Sequence, residues 1–174
     1  MTVTDAPKIP PMTVSHVFGE ITWLLSESVQ HRDLRIADLR WLVMPLILNR
    51  QFTVFRDGER PLGVALWAYL DEEREKKLIE GMSESSNELR LDNCNCGDRL
   101  WLIELVAPFS TNENRQAELM VADLIAGPFA GRSFTMIHTD PASDHKNLIK
   151  VDADARDRLI ENTKLRLNEL GLLK

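Results

Sequence analysis

Three side chains able to handle protons or act as nucleophiles stand where their types call for explanation. Glu104 lies in Trp101-Leu102-Ile103-Glu104-Leu105-Val106, a lone carboxylate in a run of large apolar residues. An ionised carboxylate is costly to bury unless it is paired or hydrogen-bonded. Glu104 therefore either faces water at a sheet edge or meets a partner such as His or Arg. Strand alternation puts it on one face with Leu102 and Val106, which weakens the edge explanation. His31 follows a predicted helix end in Ser28-Val29-Gln30-His31-Arg32. Imidazole changes charge near neutral pH, and a loop at a helix terminus leaves it free to act, although most loop histidines are simply solvated. Ser28, His31 and Glu104 supply the residue types of a Ser–His–acid triad, in which the base accepts a proton and the acid steadies the imidazolium. His16, His138 and His145 have no comparable setting.

These residues must be positioned by the elements around them. Ile21, Leu24, Leu25 and Ser28 recur at helical spacing, so Phe18 to Val29 is predicted as a helix, with a break over Gln30–Asp33. Ile36, Leu39, Leu42, Val43, Leu46 and Ile47 predict a second helix over Arg35–Leu48, kinked by Pro45. Gln51–Arg56 and Pro61–Leu70 read as a hairpin around Asp57-Gly58. Asp71–Glu80 follows as a charged helix with acidic residues in its first turn. Ser83–Asp98, which contains Cys-Asn-Cys-Gly near its end, reads as a loop. Leu100–Val106 is the most hydrophobic strand, Asn112–Ile125 a helix, and Ser133–His138 a fourth strand. Asp152–Leu170 closes the chain as a helix expected to bury Leu159, Ile160, Leu165 and Leu167. The order implies an α+β (mixed α/β) architecture around a mixed sheet of four or more strands.

Composition narrows the function classes. With 174 residues, 44% apolar and 28% charged, the chain suits one globular domain over residues 16–174. Residues 1–15 hold Pro7, Pro10 and Pro11 and read as a mobile tail. No uninterrupted apolar run, Trp41–Leu48 included, is long enough to span a bilayer, and no secretory signal is visible, so a cytoplasmic protein without membrane insertion is expected. A net charge of −6 argues against general nucleic-acid binding. Within that total, His31–Arg60 carries six arginines against Asp33, Asp38, Asp57 and Glu59, a local +2 suited to an acidic partner. Cys94 and Cys96 alone cannot complete a four-ligand zinc site, so no metal is expected and both read as free loop thiols.

The same residues carry a family resemblance. Ile21–Arg32 (I-T-W-L-L-S-E-S-V-Q-H-R) resembles the opening of the toxin-activating lysine acyltransferases, the hemolysin-type enzymes that fatty-acylate RTX protoxins. Pro61–Leu70 is similar to their central Trp-Ala strand. Gly97–Phe109 (G-D-R-L-W-L-I-E-L-V-A-P-F) is close to their Gly-Asp-Arg, Trp, acidic, Ala-Pro-Phe block. The likeness covers residues 17–150. It implies a GNAT-like acyltransferase fold, a homodimer, His31 and Glu104 as catalytic residues, and Ser28 as a residue whose exchange impairs activity. It also implies acyl carrier protein as donor substrate, with no bound cofactor, and an RTX protoxin as acceptor. Carrier delivery would use the basic surface near His31, with Arg32, Arg35 and Arg40 as candidates. The chain departs from the best-known members in having Glu104 where they have Asp, and its last quarter matches poorly. Two other readings remain: an acetyl-CoA-dependent GNAT-like acetyltransferase, although no Q/R-x-x-G-x-G/A loop is present, and a chaperone or adaptor for a secreted partner.

Overall fold

Thr13 opens the first helix by accepting the His16 N–H on its hydroxyl, 3.2 Å away. The computed structural model describes residues 13–81, 94–139 and 146–169. Val14 and Ser15, expected in the tail, belong to this helix, while residues 1–12, the first part of the expected loop (83–93) and His145 lie outside the described residues. Helix α1 (Val14–Glu27) buries Val17, Ile21, Leu24 and Leu25, the stripe read from its spacing. The expected second helix is two: α2 (Ile36–Leu42) and α3 (Met44–Leu48). Pro45 does not kink a continuous helix. It lies in the first turn of α3, where its missing N–H is not needed for a helical bond.

The sheet follows. Strands β1 (Phe52–Asp57) and β2 (Arg60–Leu70) form the hairpin, with Gly58 at φ 59° supplying the left-handed turn that other residues adopt reluctantly. Helix α4 (Glu72–Gly81) starts under an Asp71 cap on the Arg74 N–H, which holds the Asp71 carboxyl below its usual range. Strand β3 (Arg99–Val106) pairs antiparallel with β2 and parallel with β4 (Phe134–Thr139). Helix α5 (Gln116–Ala126) lies between them in sequence. It starts four residues later than expected, because Thr111 and Asn114 each bond the other's backbone N–H and hold a turn there instead.

A fifth strand, β5 (Lys146–Val151), pairs with β4 and completes the order β1-β2-β3-β4-β5. No apolar alternation announces it, since most of its residues are exposed and backbone bonds to β4 hold it at the edge. Helix α6 (Ala155–Glu169) corrects a further expectation: Ile160 and Leu165 are exposed rather than buried, Leu159 is half-buried, and the Leu167 side chain lies outside those described.

The mixed sheet separates two cores. One holds Val17, Ile21, Leu24 and Leu25 of α1 against Leu39, Leu42, Leu46 and Ile47 of α2 and α3 and against Val64, Leu66, Ala68, Trp101 and Val106 of the sheet. The other holds Ala65, Trp67, Leu100 and Leu102 against Leu124 of α5, Phe129 and Phe134. Helix α1 thereby packs against β2.

Candidate active site

Where α1 ends, the backbone builds half of the site. Ser28 leaves the helix in an extended conformation, with its N–H still on the Leu25 carbonyl. Its own carbonyl accepts from the N–H groups of His31 (3.0 Å) and Arg32 (2.9 Å), a tight turn that folds His31 back over Ser28. The result is a Ser28 Oγ to His31 Nδ1 distance of 2.7 Å. Local sequence suffices for this pair, three positions apart.

The other half comes from the sheet. His31 Nε2 lies 3.1 Å from Glu104 Oε2. Glu104 reaches it through an irregularity in β3. Register with β2 pairs Leu66 with Glu104 and Trp67 with Leu102, so Ile103 is an extra residue, a β-bulge. Leu102 belongs to the core on the α5 side, whereas Ile103 and Val106 pack in the core on the α1 side, and Glu104 points with them. The expectation that Glu104 shares a face with Leu102 is therefore corrected. It shares one with Val106 and is in register with Leu66.

The chemistry of the trio follows from valence. An ionised carboxylate only accepts, so the ring must donate Nε2–H to Glu104. In the neutral imidazole Nδ1 is then the acceptor, and the Ser28 hydroxyl donates to it. The His31 ring thus bridges a hydroxyl and a carboxylate, the residue types of a nucleophile–base–acid triad with the two ring nitrogens exchanged relative to the usual arrangement. Burial is graded to match. Ser28 is almost fully buried, while the side chains of His31 and Glu104 are 12% and 30% exposed, leaving an approach from solvent.

A model of the RTX toxin acyltransferase family matches residues 10–153, a stretch that contains all three side chains. The chain belongs to that family. Among individual relatives, the RTX-II toxin-activating lysine-acyltransferase ApxIIC of Actinobacillus pleuropneumoniae is 35% identical over 94 residues, 54% of this chain and 56% of that protein. The protein-lysine palmitoyltransferase CyaC of Bordetella bronchiseptica is 34% identical over 105 residues, 60% of this chain and 55% of its own. The leukotoxin-activating lysine-acyltransferase LtxC of Aggregatibacter actinomycetemcomitans is 37% identical over 97 residues, 55% of each chain. The chain spans about half the length of the relatives it matches.

Around the family's matched core the remaining candidates fall into two groups. Arg32, Arg35 and Arg40 are exposed, and no described carboxylate pairs with their side chains. Ile36, 86% exposed, and Val29, 73% exposed, lie beside them in sequence. Both cysteines lie in the segment between α4 and β3 that reads as a loop, but Cys94 is packed rather than exposed there: it is 1% exposed in the α1-side core, accepts from Asn49 Nδ2 at 3.1 Å, and burial pushes its pKa up. Cys96 is half-buried, and both are free. Among the described residues no group of three or more His, Cys, Asp or Glu could hold a metal, and no helix is long and apolar enough to cross a membrane. Sequence reasoning missed the bulge at Ile103, which nothing in the run L-W-L-I-E-L-V announces, because a bulge is defined only against the partner strand.

Proposed function

We propose that this chain is a protein-lysine fatty acyltransferase that takes an acyl group from acyl carrier protein and places it on internal lysines of an RTX protoxin, activating the toxin. The observation that carries this reading is the His31 imidazole clamped between the Ser28 hydroxyl and the Glu104 carboxylate, inside the stretch matched by the family. The relatives' names, which include toxin-activating lysine-acyltransferases and a protein-lysine palmitoyltransferase, give the acceptor class.

The chemistry asks for such a site. Lysine has a pKa of about 10.4, so at pH 7 only roughly one amine in 2,500 is neutral and nucleophilic. Forming the amide also requires a base for the amine proton as the carbon–nitrogen bond closes. His31 takes that role, with Glu104 holding the ring's orientation and offsetting the charge of the imidazolium. Exposed Arg32, Arg35 and Arg40 receive the acidic carrier protein beside the site, with Ile36 offering an apolar contact. On this reading the reaction runs in the cytoplasm, where the carrier is charged. The mixed sheet with helices on both faces agrees with a GNAT-like acyltransferase fold. The exposed Leu148, Ile149, Ile160 and Leu165 at the β5–α6 end offer surface to a second copy in a homodimer.

The test is reconstitution. The purified chain is incubated with fatty-acyl carrier protein and an RTX protoxin, and tryptic peptides of the toxin are weighed. Internal lysines are expected to gain one acyl group in the presence of the enzyme and none without it. A toxin left unmodified in the complete mixture would refute the reading.

A further inference from the structure

We propose that an open groove between α1 and the start of β2 docks the acceptor protein, taking an apolar side chain that lies a few residues from the target lysine and has a carboxylate beside it. The inference rests on the acyltransfer reading and deepens it by naming a contact for the acceptor away from His31. His16, Gly19, Glu20 and Trp23 of α1 line the groove with Pro61 of β2, around a volume of about 500 Å³. Trp23 is 40% exposed, and its indole stands 5.8 Å from the Phe109 ring at 39°. An indole backed by a second ring offers a large, rigid surface to an apolar group. Gly19 keeps the groove open, since a Cβ built there would meet no atom within 4 Å.

The charges around the groove are unequal. Glu20 is already satisfied: His16 Nε2 lies 3.3 Å from one of its oxygens and Arg56 pairs with the other. Arg60 is exposed, with its guanidinium 5.0 Å from the centre of the Phe109 ring, and no described carboxylate pairs with it. The surface is therefore an apolar platform with one uncompensated positive charge at its Phe109 side. An apolar side chain on Trp23 with an acidic neighbour at Arg60 complements both features.

Position selects the occupant. Trp23 precedes Ser28 by five residues, about 7.5 Å along the helix axis and about 140° round it. Ser28 lies on the buried stripe with Ile21, Leu24 and Leu25, whereas Trp23 faces outward. An acyl chain with its carbonyl at His31 would have to pass through water around the outside of α1 to reach the groove. A polypeptide offering its lysine to the trio comes from solvent and lies on that outer surface already. Three to five extended residues, about 10–17 Å, span the distance from the lysine to Trp23.

The experiment measures initial rates of the full chain with fatty-acyl carrier protein as donor and RTX protoxin as acceptor, each varied in turn. Trp23→Ala is expected to raise KM for protoxin about 10-fold or more, the scale of a lost aromatic anchor, and Arg60→Glu several-fold. Gly19→Leu fills the groove without displacing a neighbour, so it should raise the same KM while the melting temperature stays at or above that of the wild type. With protoxins given Glu or Lys three to five residues from the target lysine, the wild type is expected to favour Glu and Arg60→Glu to favour Lys. A merely structural Arg60 would not reverse that preference. Protoxin KM within about twofold of wild type in both Trp23→Ala and Gly19→Leu overturns the inference and leaves the acyltransfer reading intact. So does a charge preference that Arg60→Glu fails to reverse, or a defect that grows with the donor's chain length whatever the acceptor, which would give the groove to the acyl chain. A wild type that modifies no lysine overturns both.

Discussion

Glu104 and Leu102 stand two positions apart on β3 yet face opposite sides of the sheet. Ile103 bulges between them, so that Leu102 fills the α5-side core while Glu104 and Val106 turn to the α1 side. One strand thereby serves two demands that strict alternation sets against each other: an unbroken apolar core and a carboxylate delivered to His31. The carboxylate escapes the cost of isolated burial because it ends 3.1 Å from an imidazole N–H and keeps part of its surface in water.

His31→Ala should abolish acylation, with a fall of about 100- to 10,000-fold in turnover, the usual contribution of a positioned base. Its melting temperature should stay near that of the wild type, because the imidazole lies outside both cores. Mass spectrometry of protoxin lysines after co-expression reads the first effect and thermal denaturation the second. Acylation at the wild-type level would remove His31 from the mechanism.

Glu104→Gln should depress turnover strongly and leave the fold intact, since the amide fills the same volume but cannot offset an imidazolium. Glu104→Asp should keep measurable activity. It preserves the charge while shortening the reach by about 1.5 Å, and the 3.1 Å contact then needs a small adjustment of the His31 turn. Initial rates at saturating donor and acceptor, alongside melting curves, separate the two variants. A fully active Gln enzyme would reduce Glu104 to a structural residue.

Donor choice should show the charge of the surface. Transfer from fatty-acyl carrier protein is expected to outpace transfer from the matching acyl-CoA and to weaken with salt, as charges screened over a Debye length of ~8 Å at physiological ionic strength would. Arg35→Glu combined with Arg40→Glu should raise KM for the carrier several-fold and change kcat little, since both side chains are exposed and no described carboxylate pairs with them. Equal use of acyl-CoA, or indifference to salt, would refute carrier docking at this surface.

The two cysteines should part company. Cys96→Ser is expected to leave stability and activity nearly unchanged. Cys94→Ser places a hydroxyl in an apolar core and should cost about 1–3 kcal/mol, moderated by the Asn49 N–H that can still donate to it. In the native protein Cys96 should react with a maleimide well before Cys94, whose thiol is buried and whose thiolate is disfavoured by that burial. Peptide mapping after timed alkylation checks the order, and faster labelling of Cys94 would contradict the packing described.

Periodicity alone located α1, the hairpin, β3 and β4, because each carries a stripe or alternation that only one type of element can bury. Ser28 falls on the α1 stripe and His31 in the break after it, but the family resemblance singled them out as site residues, and their pairing depends on a turn between near neighbours. The odd carboxylate in an apolar strand marked Glu104, since burial without a partner is too costly to be accidental. Tertiary structure decided the rest. That Glu104 meets His31, 73 positions away, depends on α1 lying across β2 and on the bulge at Ile103, and no local pattern encodes either. Helix α3 begins as a separate element because Pro45 fits a first turn, a distinction that spacing cannot draw. Strand β5 exists through backbone bonds to β4 while its side chains stay largely in water. Cys94 is a core residue because α1, α3 and the sheet close over it, and a polar local sequence gave no hint of that cover. Local sequence specifies what a segment can bury; which partner it meets is settled only when distant segments compete for the same core.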